Sequence, residues 1–376
     1  MKQRGRIFRT ACAALSTTLL ATACANHSSP SAADRFGGDT VAAPLPATSP
    51  YLAVTGIASG YVIWPSGGSW VLLETSDGFA HVVNRTPVAV ETDGGLIGSF
   101  ARGSAAVAVG AHDRLVRSPV LIASSASAGA SAWTPAEMPD AVVDARAAVS
   151  LASGTLTAVT TGGDVIARTA TGWATLTGVA KLAPQARLRL DGVTWAGATT
   201  GWVTGHGPAG PAMAYRTMDA GRTWAAVPAS AGRAVAALAP CGAGKSWLLP
   251  VIDGAGTISV LRTSDGGLTW ARGSALQIPD GVPAWACAGP HVWMAGRASG
   301  ADRVFASNDS GQSWVDRGAP PPGLTSLAMT STGVGFAASS GWHPASLWAV
   351  SGDGAHFAPI VLPDWVPTVG AESGGD

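Results

Sequence analysis

Apolar and polar positions alternate in short runs from about residue 51 onward, and the runs are rich in β-branched and aromatic residues, a period of two that predicts strands. No long stretch carries the 3.6-residue period of an amphipathic helix, so a parallel sheet flanked by helices has nothing to build its flanks from. The strands recur in a fixed order. Gly201-Trp202-Val203, Ser246-Trp247-Leu248, Val292-Trp293-Met294 and Val334-Gly335-Phe336 mark apolar second strands, and third strands are predicted over 212–217, 257–263, 303–307 and 346–350.

Each third strand runs into a turn, and three of these turns share one phrase. It reads Thr217-Met218-Asp219-Ala220-Gly221-Arg222-Thr223-Trp224, then Thr263-Ser264-Asp265-Gly266-Gly267-Leu268-Thr269-Trp270, then Ser307-Asn308-Asp309-Ser310-Gly311-Gln312-Ser313-Trp314. The spacing is 46 residues from Trp224 to Trp270 and 44 from Trp270 to Trp314, in the range of a four-stranded repeat unit. Weaker copies extend the frame: Ala130-Ser131-Ala132-Trp133 and Ala170-Thr171-Gly172-Trp173 keep the Trp without the Asp, and Ser351-Gly352-Asp353-Gly354-Ala355-His356-Phe357 has Phe for Trp. Thr75-Ser76-Asp77-Gly78 precedes a strand expected over residues 79–83, and the count is seven units. One four-stranded unit cannot bury both faces, whereas a closed ring of them buries every face between neighbours.

The phrase has a structural rationale. A short carboxylate at the first corner of a turn accepts from backbone N–H groups that lack ladder partners, the Gly two residues on permits a positive φ, and the Ser or Thr near the end bonds back across the turn. The Trp is then expected to open the next strand and bury its ring. The template resembles the Asp-box of the BNR-type β-propeller families, and the chain is similar to them from its first predicted strand to its last. That resemblance implies an all-β, seven-bladed β-propeller of four-stranded antiparallel blades. It also implies that Asp219, Gly221, Trp224, Asp265, Gly267, Trp270, Asp309, Gly311 and Trp314 are structural residues on the outer rim, away from the channel.

Four segments follow. Residues 1–23 carry Lys2, Arg4, Arg6 and Arg9 before an apolar stretch too short to span a bilayer, which reads as an export signal. It ends Leu20-Ala21-Thr22-Ala23-Cys24, which resembles the bacterial lipobox and implies lipidation of Cys24 and a membrane anchor on the extracytoplasmic side. Ordinary signal cleavage that leaves Cys24 a thiol is the alternative. Residues 24–50, rich in Ser, Ala and Pro, read as a tether, 51–366 as the propeller and 367–376 as a disordered tail. The whole chain is formally neutral with 23 basic and 23 acidic residues. Loss of the signal removes four basic residues and no acidic ones, leaving a net charge of −4 and no basic tract, which argues against nucleic acid as a partner.

Cys241 and Cys287 each precede a second-strand Trp by six residues, Trp247 and Trp293, and so are expected at equivalent positions in adjacent blades. In an oxidising compartment a disulfide is the favoured reading, free thiols the other, and two sulfurs without a nearby His pair make an incomplete metal set. No metal or cofactor is expected. Residues 239–246, Ala-Pro-Cys-Gly-Ala-Gly-Lys-Ser, fit a relaxed phosphate-loop pattern, but a strand follows where that loop needs a helix. Arg146, Arg187 or Arg189, and Arg233 fall near the starts of three consecutive first strands. In register they would gather at one mouth of the channel and hold a carboxylate or acidic peptide; the alternative is scattered surface arginines.

Three functions are compatible with this reading. Asp-box families include sialidases, which need an arginine triad, a Tyr–Glu nucleophilic pair and an acid/base Asp; the chain has only Tyr51, Tyr61 and Tyr215, and only Glu74, Glu91, Glu137 and Glu372, in no recognisable catalytic motif. The better resemblance is to the non-catalytic seven-bladed photosystem II assembly and stability factors and, more distantly, the sortilin-type receptors, which implies binding of a protein or glycan at the cell envelope without catalysis. A structural scaffold in an envelope complex is the third.

Overall fold

The computed structural model describes residues 51–54, 58–66, 69–85, 96–101, 104–109, 120–125, 133–137, 149–152, 155–159, 164–169, 172–176, 189–195, 199–206, 212–227, 234–237, 240–253, 256–278, 284–339 and 346–366. They form seven antiparallel sheets, each wound from one continuous stretch of chain. Blade 1 pairs Tyr51–Val54, Gly60–Ser66, Ser69–Thr75 and Val83–Asn84; blade 2 pairs Leu96–Ala101, Ser104–Val109, Val120–Ser125 and Trp133–Glu137; blade 3 pairs Val149–Ala152, Thr155–Val159, Val165–Thr169 and Gly172–Thr175. Blade 4 holds Arg189–Trp195, Gly201–His206, Ala212–Thr217 and Ala225–Ala226. Blade 5 holds Ala234–Ala237, Ser246–Asp253, Thr257–Thr263 and Ala271–Arg272, with short accessory strands Cys241–Ala243 and Leu276–Gln277. Blade 6 is Ala284–Ala288, His291–Ala298, Ala301–Ser307 and Val315–Gly318, and blade 7 is Leu324–Met329, Gly335–Ser339, Ser346–Ser351 and His356–Ile360. The one helical turn among the described residues is Gly352–Gly354.

Successive blades pack side by side, and the first strand of blade 7 packs against the first strand of blade 1, so the series closes on itself. The Leu52 amide donates to Ser326 Oγ across that junction at 3.2 Å. The predicted third strands over 212–217 and 257–263 match the observed ones residue for residue; those of blades 6 and 7 are longer, starting at Ala301 and ending at Ser351.

The core lies between blades, and side-chain alternation decides which neighbour each residue faces. Trp202 faces blade 5, where it meets Trp247, Leu249 and Leu261. Trp293 likewise faces onward, against Leu327, Met329 and Ala337 of blade 7. Trp247 does the opposite and faces back to blade 4. The register explains it: the first residue of the box, Thr217, Thr263 or Ser307, lies opposite Gly201, Trp247 and Val292, so Trp247 is the counterpart of Val292, and Leu248 that of Trp202 and Trp293.

This corrects the expectation for the cysteines. Cys241 lies opposite Leu248 and Cys287 opposite Val292, one register step from equivalence. Residues at equivalent positions face the same way round the ring, so one of two equivalent cysteines would point away from the other. The single-residue offset turns Cys241 toward blade 6 and Cys287 toward blade 5, and they form a disulfide with Cα atoms 6.4 Å apart inside a shared apolar cluster.

Candidate functional site

The repeated turns are the best-defined polar constellations of the ring. In blade 4 the Asp219 carboxylate accepts the Thr223 amide at 2.9 Å through Oδ1 and the Thr223 hydroxyl at 2.6 Å through Oδ2. The first residue of the phrase does as much work as the Asp, which the sequence reading missed: Thr217 Oγ1 donates to Asp219 Oδ1 at 2.8 Å and accepts the Gly221 amide at 2.8 Å. Blade 5 repeats the set, with Thr263 donating to Asp265, the Gly267 amide donating to Thr263, and Thr269 bonding Asp265 Oδ2 at 2.6 Å. So does blade 6, through Ser307, Asp309, Gly311 and Ser313. The requirement for a hydroxyl at positions one and seven follows from these bonds.

Two residues in each turn have positive φ: Ala220 and Gly221 at 60° and 81°, Gly266 and Gly267 at 77° and 89°, Ser310 and Gly311 at 62° and 80°. The second of each pair packs on the preceding blade. A Cβ on Gly221 would stand 2.7 Å from Leu176 Cδ1 and one on Gly311 would stand 2.7 Å from Val260 Cβ, while one on Gly267 would collide with the Trp202 ring. The box is therefore a latch between blades. Between blades, Trp270 adds an edge-to-face contact with Trp202 at 5.5 Å and the half-buried Trp314 donates to the Ser274 carbonyl at 3.3 Å, whereas Trp224 meets Trp195 of its own blade edge-to-face at 6.1 Å. Each Trp ends the turn, and the strand begins one residue later, at Ala225, Ala271 and Val315, not at the Trp as expected.

A fourth box, complete in its hydrogen bonds although Val82 stands in place of the Trp, was hidden by substitution. In blade 1 Thr75 donates to Asp77 at 3.1 Å, the Phe79 amide donates to Thr75 at 2.8 Å, and His81 stands where the others have Thr or Ser, its Nδ1 2.6 Å from Asp77 Oδ2. Phe79 takes the glycine position at φ 69° and packs edge-on against Phe336 of blade 7 at 4.9 Å. The strand expected over residues 79–83 is thus a turn followed by Val83–Asn84. In blade 7 the Asp comes one residue late: Asp353 has φ 57°, and its carboxylate accepts from Arg317 of blade 6 at 3.2 Å.

These carboxylates are acceptors, not acids. Donation from the Thr223 hydroxyl and amide, with help from Thr217, holds Asp219 down at about 2, and the Ser313 hydroxyl leads the same effect on Asp309, also about 2. Asp265 is lowered chiefly by Thr269, and Asp77 by the His81 amide and ring. The unfolded chain, with carboxyls near about 4, binds protons more readily than the folded one, so the stabilisation is complete above that pH and is lost as pH falls toward 2. The expected result is a melting temperature that drops between pH 5 and pH 2.5. The Asp219→Asn/Asp309→Asn variant should melt lower at pH 7 but lose less over that interval, as followed by circular dichroism.

Of the other sequence-derived candidates, Arg189 begins the first strand of blade 4 with its Cα opposite that of His206. Arg146, Arg187, Arg233 and Cys24 lie outside the described residues. Among the described residues no group of three or more His, Cys, Asp and Glu is placed to hold a metal ion. One pair did escape the sequence reading. The Tyr61 hydroxyl donates to Glu74 Oε1 at 3.0 Å, and Arg85 Nε donates to Glu74 Oε2 at 2.7 Å. Burial first, and then the Glu74 carboxylate, push the phenol above its ordinary value, which keeps it protonated. Tyr61 and Glu74 are cross-strand partners in the second and third strands, a pairing that shows only once the register of that hairpin is known.

No protein-family model matches the sequence, and no curated protein does. Solved structures match by fold. One, from a structural and mechanistic study of two prolyl endopeptidases and the role of inter-domain dynamics in their catalysis and specificity, has a TM-score of 0.58 at 10% identity over 83% of this chain. The fold is a β-propeller. The match takes in 49% of that longer chain, so this one spans about half its length. A second structure, YCF48 bound to D1 peptide, has a TM-score of 0.47 at 16% identity, over 83% of this propeller's chain and 93% of its own. At 10% identity the likeness to the first of these is one of architecture.

Proposed function

We propose that this propeller is an exported, lipid-anchored member of the Asp-box families that binds a protein or glycan at the cell envelope without catalysis. The observation that carries the reading is the commitment of the repeated carboxylates: Asp77, Asp219, Asp265 and Asp309 are bound within their own turns and held ionised, serving the framework. What a ring braced in this way offers to other molecules is its loops, carried on a rigid support. The buried Cys241–Cys287 bridge supports export to an oxidising compartment, and Cys24 after a small-residue cleavage site supports the anchor, since several acyl chains supply the multiple signals that stable attachment needs. Arg146, Arg187, Arg189 and Arg233 are the residues proposed to meet an acidic ligand.

Cells grown with an alkyne-bearing fatty acid should label the wild-type chain and not Cys24→Ser, and only the labelled chain should sediment with membranes. The purified propeller should bind defined glycans on an array, or crosslink to an envelope protein, and release no chromogen from aryl glycosides. A second reading, an exo-sialidase-like hydrolase, draws on Tyr61 and Glu74. A phenol kept protonated beside a carboxylate is a poor nucleophile, and the pair joins the second and third strands, whereas the first strands form the inner ring. Hydrolysis abolished by Tyr61→Phe would establish that second reading in place of the first.

A further inference from the structure

Among the described residues, the ring closes without a strand shared between the first and last blades. Blade 1 is built wholly from residues 51–84 and blade 7 wholly from residues 324–360. At every other junction the backbone itself runs from one blade into the next, so separation is limited by a short covalent connection. Between blades 7 and 1 there is only non-covalent contact. The junctions from blade 4 to blade 7 carry further ties: Arg216 of blade 4 donates to the Gly266 carbonyl of blade 5, the disulfide joins blades 5 and 6, and Arg317 of blade 6 pairs with Asp353 of blade 7.

The seam between blades 7 and 1 is held by an apolar cluster in which Leu52, Trp64 and Phe79 meet Phe336, Ala338 and Leu347. One more residue belongs to that cluster. Val366 is only 3% exposed, although it lies six residues beyond the last strand, in a segment whose Val361 and Trp365 stand 88% and 50% exposed. A turn in which the Val366 amide donates to the Pro363 carbonyl at 2.8 Å brings it back to the ring. Ile360 and Leu362 pack at the edge of the same cluster. A segment with no ladder bonds to make would be expected to leave the surface; this one returns to bury a β-branched side chain where the ring has no covalent closure.

We infer that residues 361–366 are a closing strap that seats Val366 in the seam between the last and first blades, and that this seam is where the ring opens. Local opening proceeds at the junction with the fewest constraints, and hydrogen exchange reads it by segment. A chain ending after Ile360 should exchange at least about tenfold faster than wild type in Tyr51–Val54 and Leu324–Met329, with Ser246–Asp253 and His291–Ala298 unchanged. A chain ending after Val366 should exchange as wild type does. Val366→Ala should give a smaller acceleration at the same two strands, and decides the matter alone if the shorter chain fails to fold. Acceleration spread equally over all blades, unchanged exchange at the seam, or an equal effect from removing only residues 367–376 would each overturn the inference.

Discussion

Replacing Trp202 by alanine is expected to lower stability by about 3–5 kcal/mol, seen as a fall in melting temperature on the order of 5–10 °C. Trp202 is fully buried between blades 4 and 5 and meets three partners that the ring cannot rearrange independently. Its ring lies 5.3 Å from that of Trp247 and 5.5 Å from that of Trp270, and a positive-φ glycine, Gly267, packs directly on its edge. Collapse into the resulting space would have to pull the blade 5 turn inward. That turn is fixed by the bonds of Asp265 to Thr269 and of Thr263 to Gly267, so the cavity stays largely open and the cost falls at the upper part of the range for such truncations. Trp247→Ala opens the same cluster from the opposite face, and the two effects should not add: a coupling of about 0.5–1.5 kcal/mol is expected for an aromatic pair in contact, measured by a double-mutant cycle in urea. Additive effects would show that the two indoles sit in separate packing units, against the register derived above.

That register is also what separates the legible part of the fold from the rest. The box phrase reports its own hydrogen bonds, because each of its defined positions is a donor, an acceptor or a backbone conformation, and three copies at near-constant spacing give both the strands and the repeat. It stops working when another residue supplies the same bond. His81 offers a ring nitrogen where the template has a hydroxyl, and Phe79 accepts a positive φ because its side chain has Phe336 to pack against, so a box complete in its hydrogen bonds looked like a fragment. The converse also occurs: Asp353 looks like a box Asp and bonds to Arg317 instead. Trp247 and Trp293 were equivalent by sequence distance and opposite by facing, because a period of two gives a one-residue slip no warning in composition. The Tyr61–Glu74–Arg85 set was out of reach for a different reason. It joins two strands of blade 1 to Arg85, one residue past the fourth, and nothing in the spacing of 61, 74 and 85 marks it until the hairpin pairing is known.

The slip has its largest energetic consequence at the disulfide. Closing a loop of 46 residues removes unfolded-state entropy equivalent to about 4 kcal/mol, so the Cys241→Ser/Cys287→Ser double variant should unfold at lower urea concentration by that amount of stability. Dithiothreitol should shift wild type to the same midpoint and leave the double variant where it is. The rate of that shift is informative as well. Cys241 and Cys287 are 2% and 8% exposed within an apolar cluster that includes Ile258, Val260 and Met294, so a thiolate reaches the sulfurs only after blades 5 and 6 part. Reduction under native conditions should therefore be slow and should quicken in step with urea well below the unfolding midpoint. The single variants are expected to be worse than the double, since each leaves a thiol facing a new hydroxyl in an apolar pocket with no designed partner. Were the reduced and oxidised proteins to unfold at one midpoint, the bridge would contribute nothing to the ring, and the offset that turns the two cysteines toward each other would have no energetic role.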